Sequence, residues 1–91
     1  MEEPWNDCES LEYISKRAVY HQLCKRIRNC TIRTWFTEYG TIRVDIVTDV
    51  FDFHYKMERC IERLKGGMPV EYITTDVIHQ FKGAIKKHFF G

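Results

Sequence analysis

Asp45, Asp49, Asp52 and His54 form an acid-rich run of the kind in which a metal-dependent nuclease holds its ion beside a lysine. His21-x2-Cys24-x5-Cys30 is the grouping nearest to a zinc site, with one pair at helical i, i+3 spacing, and His54-x5-Cys60 adds a second pair. Ser10 and Ser15 are the serine nucleophiles on offer, and Gly66-Gly67 is the glycine pair a phosphate could approach. Each has a plainer account. Asp49 and Asp52 stand where a helix N-cap is expected, and a carboxylate there satisfies an open backbone N–H of the first turn. The nearest candidate for a further strand reads Glu71-Tyr72-Ile73 and not Glu-x-Lys. The Cys and His spacings include neither a CxxC knuckle nor HxxxH, so they lack the pairs that close a tetrahedral site. The serines lie in or near a helix without a nucleophile elbow, and Gly66-Gly67 reads as a helix stop. The chain is expected to be no enzyme and to use no metal or cofactor.

Charge carries more information. Between Tyr13 and Thr37 there are six basic residues and no acid, whereas the first 12 residues hold five acids and neither Lys nor Arg. The net charge is only +1. A dedicated nucleic-acid binder is usually strongly basic, yet a basic patch can hide in a neutral total. Arg17, His21, Lys25 and Arg28 are spaced by four, four and three, so they line one side of a helix and can track a phosphate backbone or grip an acidic partner. The alternative is a solvated face balanced by the acidic start of the chain. Arg33, Trp35 and Arg43 put an aromatic between cations, a combination that stacks a base or anchors a protein interface. A secondary set, His79, Lys82 and Lys86 with Lys87, sits late in a C-terminal helix, where cations also serve the helix dipole. If the first and last helices present their basic sides together, the case for an anionic partner strengthens.

The elements that must position these residues read as follows. Pro4 and Asp7 precede a helix from about Cys8 to Arg28, acidic early and basic late, with Asn29 as its C-cap. Its apolar residues split: Tyr13, Tyr20, Leu23, Cys24 and Ile27 share one side, while Leu11, Ile14 and Ala18 lie nearly opposite, so the helix is buried on two sides, or bends, or presents Leu11, Ile14 and Ala18 as a contact or dimer surface. From Cys30 the period changes to two and resumes after Glu38-Tyr39-Gly40, which predicts a β-hairpin with Gly40 left-handed. The register then sets Thr37 opposite Thr41, Phe36 opposite Ile42, Ile32 opposite Ile46, Trp35 opposite Arg43 and Arg33 opposite Asp45. Asp49 or Asp52 caps a helix to about Lys65 with Phe53, Met57, Cys60, Ile61 and Leu64 in one stripe. Val70–Ile73 is a short third strand, and Thr74 or Thr75 with Asp76 starts a last helix that buries Val77, Ile78, Phe81, Ala84, Ile85 and Phe89.

The expected architecture is an α+β fold, α-β-β-α-(β)-α, with helices on one face of a small antiparallel sheet. At 91 residues it is one compact domain spanning 1–91. A start rich in acids, with no apolar h-region and no run of ~18 apolar residues, gives the expectation of a soluble cytoplasmic protein with no membrane partner. Its four cysteines are then thiols that pack as small hydrophobes. Three RNA-binding modules are set aside. Gly66-Gly67 lacks the GxxG of a KH domain, and the hairpin lacks the aromatic pattern of an RRM. The expected order is also not the α-β-β-β-α of a double-stranded-RNA-binding domain. The reading is a non-enzymatic adaptor or inhibitor docking on a protein or nucleoprotein complex through segregated charge. Size alone makes a viral or phage regulator a natural comparison. Direct DNA or RNA binding through the first helix and Trp35 is the alternative, and homodimerisation stays open.

Overall fold

In the computed structural model, which describes residues 10–91, Ser10 opens the first helix. Its backbone is extended and its Oγ accepts the N–H of Tyr13 at 3.1 Å, the hydrogen bond of an N-cap. Helix α1 runs Leu11–Arg26. The expected start near Cys8, with Pro4 and Asp7 before it, lies outside the described residues. The helix ends before Arg28 because Ile27 is extended at φ −119° and is itself the cap. Asn29 is left-handed (φ 64°), but as the corner that turns the chain into the sheet. What α1 buries is Ser15, Val19 and Leu23, spaced by four. Tyr20 and Cys24, which share a side with the buried Leu23, are exposed, and so are Leu11 and Ile14 of the other side. The buried line thus includes a serine and the open side several hydrophobes, so apolar periodicity misplaces the face.

Strands β1 (Thr31–Phe36) and β2 (Ile42–Val47) pair antiparallel in the expected register, Ile32 opposite Ile46, Arg33 opposite Asp45, Trp35 opposite Arg43 and Phe36 opposite Ile42. The loop closes through Thr37 N–H donating to the Thr41 carbonyl at 2.9 Å, and Gly40 takes φ 80°, where a β-carbon is disfavoured.

The expected helix from 53 to 65 is corrected. Asp52–Met57 is a strand, β3, antiparallel to β2, with Phe53, Tyr55 and Met57 buried and Asp52, His54 and Lys56 exposed. Both periods fit Phe53 and Met57. Tyr55 decides between them, because a helix would turn it away from those two and a strand buries all three on one side. Pairing also satisfies the N–H and C=O groups along the open side of β2. Neither Asp49 nor Asp52 caps a helix. Thr48 makes the turn instead, its Oγ1 accepting from the N–H of Val50 (3.2 Å) and Phe51 (3.0 Å). Only Cys60–Lys65 is helical (α2), entered through a left-handed Arg59, with the Ile61 N–H donating to the Gly40 carbonyl at 3.2 Å.

The third strand expected at Val70–Ile73 is instead the first turn of α3 (Val70–Phe90). Pro69 pre-sets the entry, and Ile73, Val77 and Phe81 follow at the four-residue spacing of one buried face. The start assigned to Thr74 or Thr75 with Asp76 is therefore one turn late. Thr74 is buried and its Oγ1 donates to Gln22 Oε1 of α1, while Asp76 accepts the Tyr55 hydroxyl at 2.7 Å, tying α3 to β3.

The outcome is an α+β fold of order α-β-β-β-α-α, with the sheet ordered β1-β2-β3. Both long helices cover the same face of it, over a core of Val19, Leu23, Val44, Ile46, Ile73 and Val77 among others. With a third strand in place, element order no longer separates the chain from the double-stranded-RNA-binding arrangement set aside above.

Two stability predictions arise from this core. Ser15 Oγ and Thr34 Oγ1 are both buried without a hydrogen-bond partner among the described residues. Ser15→Ala removes an unpaired hydroxyl and improves helix propensity, so it is expected to stabilise by about 1–2 kcal/mol. A urea midpoint that fell would show that the hydroxyl contributes. Burial also pushes the Cys60 thiol up to about 11, with Arg63 pulling it partly back, and burial followed by the Asp76 hydrogen bond raises Tyr55. Both groups are neutral when protonated. The unfolded chain therefore loses these protons first as pH rises, and stability falls from about pH 9 upward, by on the order of 2 kcal/mol for Cys60 by pH 11. In thermal melts across pH 8 to about 11, Cys60→Ala should lose the early part of this decline and keep the later part owed to Tyr55.

Candidate functional site

Helices α1 and α3 run side by side in the same direction: Gln22 meets Thr74, and further along Arg26 and Ile27 share a groove with Ile78 and Lys82. Three elements form this groove, of about 400 Å³: the end of α1 with the loop to β1, the β2–β3 turn, and the second half of α3. Its floor is apolar, with Ile27, Phe51, Ile78, Phe81 and Ile85. Phe81 is fixed by Phe51 (centroids 6.2 Å, stacked) and Phe53 (5.4 Å, edge-on). Its lip is also apolar, Val50 and Phe89 being 56% and 58% exposed. Three exposed cations, Arg26, Arg28 and Lys82, line the groove too, beside Cys30 and Thr48, and no acid does so among the described residues.

The expected site residues divide between two faces. Arg17, His21 and Lys25 are exposed on α1, and His79, Lys82 and Lys86 are exposed on α3. Arg28 is not the last member of a helical stripe but a loop residue at the groove. Arg33, Trp35 and Arg43 lie on the sheet face away from the helices. There both guanidiniums approach the indole, with the Arg33 and Arg43 Cζ atoms 5.3 and 5.9 Å from the Trp35 ring, so its surface is partly taken by its own neighbours. On the same face the Asp45 carboxylate and His54 Nδ1 are 2.7 Å apart. That pair is exposed on the His side, a geometry of small energetic worth.

Sequence reasoning missed Arg26, Ile27, Val50, Ile78 and Phe89 as site residues. A turn residue (Val50) and a terminal pair (Phe89, Phe90) left open to solvent carry the signal, which becomes readable only once the turn and both helix ends are known to meet.

The acid-rich run is spread across the sheet and a turn: Asp45 and His54 face outward, Asp49 lies in the exposed turn and Asp52 begins β3. Among the described residues no three His, Cys, Asp or Glu side chains converge, and no helix is long and apolar enough to cross a membrane. Comparisons with protein-family models, with curated proteins and with solved structures find nothing that matches the chain.

Proposed function

We propose that this is a cytoplasmic, non-enzymatic interaction protein, an adaptor or inhibitor that docks on an acidic surface of a protein or nucleoprotein complex through its helical layer. One observation carries the reading: two acid-free stretches, residues 13–37 and 77–91, come together around a groove whose floor is apolar and whose rim carries Arg26, Arg28 and Lys82 beside Val50 and Phe89. A phosphate backbone would use the rim and leave the floor unfilled. A protein segment uses both, burying apolar groups at the centre and pairing charge at the edge, which is the anatomy of protein interfaces.

A second reading, direct binding of DNA or RNA, is favoured by the α-β-β-β order followed by helices and by the side-by-side placement of the basic helices. The two readings separate in one experiment. The tagged chain is used to capture material from lysate of its source cells, with and without nuclease, at two salt concentrations. Retention of a discrete protein after nuclease treatment is the expected result. Bound material that vanishes with nuclease, and whose affinity falls steeply with salt as counterions are released, would put nucleic acid first.

A further inference from the structure

We infer that the groove between α1, the β2–β3 turn and α3 receives an acidic amphipathic α-helix from the partner, an inference that rests on the interaction reading above. Three features point to this occupant. The apolar surface does not end at the floor, because Val50 and Phe89 carry it onto the lip and stand more than half exposed, so a small molecule seated on the floor would leave the lip uncovered. The groove is bounded along one side by the second half of α3, where Ile78, Phe81 and Ile85 recur at helical spacing. A helix that lays side chains at i, i+3, i+4 and i+7 into such a floor matches it. Arg26 and Arg28 stand at one side and Lys82 at the other, without an acid in the lining among the described residues, so carboxylates flanking the apolar stripe meet opposite charge.

The test uses the full chain and fluorescein-labelled peptides of about four helical turns, read by anisotropy. One peptide has a leucine stripe flanked by glutamates, a second has the same residues scrambled, and a third has lysines in place of the glutamates. The first is expected to bind at least roughly tenfold more tightly than either control, with binding lost on Val50→Glu plus Phe89→Glu. Both positions are exposed, so the fold tolerates these changes. Equal binding of the scrambled peptide would overturn the proposal in favour of charge alone. Preferential binding of the lysine peptide would overturn it outright. Stronger association with phosphatidylserine vesicles than with the first peptide would replace it with a lipid surface. A concentration-dependent dimer removed by the same two substitutions would replace it with a second copy of this chain. A lysate protein captured equally by wild type and by the Val50→Glu, Phe89→Glu variant would sink the groove inference while leaving the interaction reading intact. Capture that depends wholly on nucleic acid would sink both.

Discussion

Phe81→Ala should lower folding stability by about 3–5 kcal/mol, the range for removing a buried aromatic side chain. Phe81 is 6% exposed and sits where three structures meet: it stacks on Phe51 of the β2–β3 turn, meets Phe53 of β3 edge-on and lies in the buried line of α3. Truncation leaves a void that turn, strand and helix cannot all close, because each is held elsewhere. The turn is fixed by Thr48, whose Oγ1 donates to the Phe51 carbonyl at 2.7 Å, and α3 by Tyr55 through Asp76. A domain of this length has a total stability of roughly 5–14 kcal/mol, so this one change removes a large share. Urea denaturation followed by far-UV circular dichroism should show the midpoint falling by on the order of 1–3 M. Phe89→Ala is the control. Its ring is more than half exposed, so the same truncation eight residues later should move stability by no more than about 0.5 kcal/mol. Equal losses at both positions would mean that the end of α3 is packed and that the groove is not open.

The contrast between these phenylalanines bears on what could be read from the residues alone. The hairpin was legible to the individual pair, because alternation fixes the face and the Glu38-Tyr39-Gly40 loop fixes the register. The placement of helices on one face of an antiparallel sheet was legible as well. The third strand was not. Phe53 and Met57 satisfy both a helical and a strand period, and the arbiter, an unpaired side of β2, is a tertiary fact. Val70–Ile73 misled in the opposite sense: strand-favouring residues were drawn into a helix by Pro69 and by the spacing of Ile73, Val77 and Phe81. For the site, Arg17, His21, Lys25, Lys82 and Lys86 could be named as basic helix positions. Nothing in their spacing says that the two helices run parallel, or that the β2–β3 turn supplies Phe51 and Val50 between their ends.

That geometry assigns different weights to cations that look equivalent in sequence. Reversing Arg26, Arg28 and Lys82 together to glutamate is expected to weaken partner binding by about 100-fold, as attraction becomes repulsion at the rim of a partly desolvated contact. All three side chains are exposed and none is in an ion pair among the described residues, so folding should be unchanged within about 0.5 kcal/mol. Arg17→Glu behaves differently. Arg17 lies nine positions before Arg26 in α1, about 13.5 Å along the helix axis, which exceeds a Debye length of about 8 Å at physiological salt. Its reversal should therefore change affinity only a few-fold there and more in dilute buffer, chiefly by slowing association. Arg33→Glu and Arg43→Glu, on the opposite face of the sheet, should leave binding at the groove unaltered while loosening Trp35. Surface plasmon resonance against the captured partner at two ionic strengths measures all of these. If Arg17 and the sheet arginines proved as important as the groove set, the partner would have to wrap the whole domain, and docking centred on the groove would be ruled out. If the groove set proved weakest, the contact would lie on the sheet face, with Trp35 at its centre.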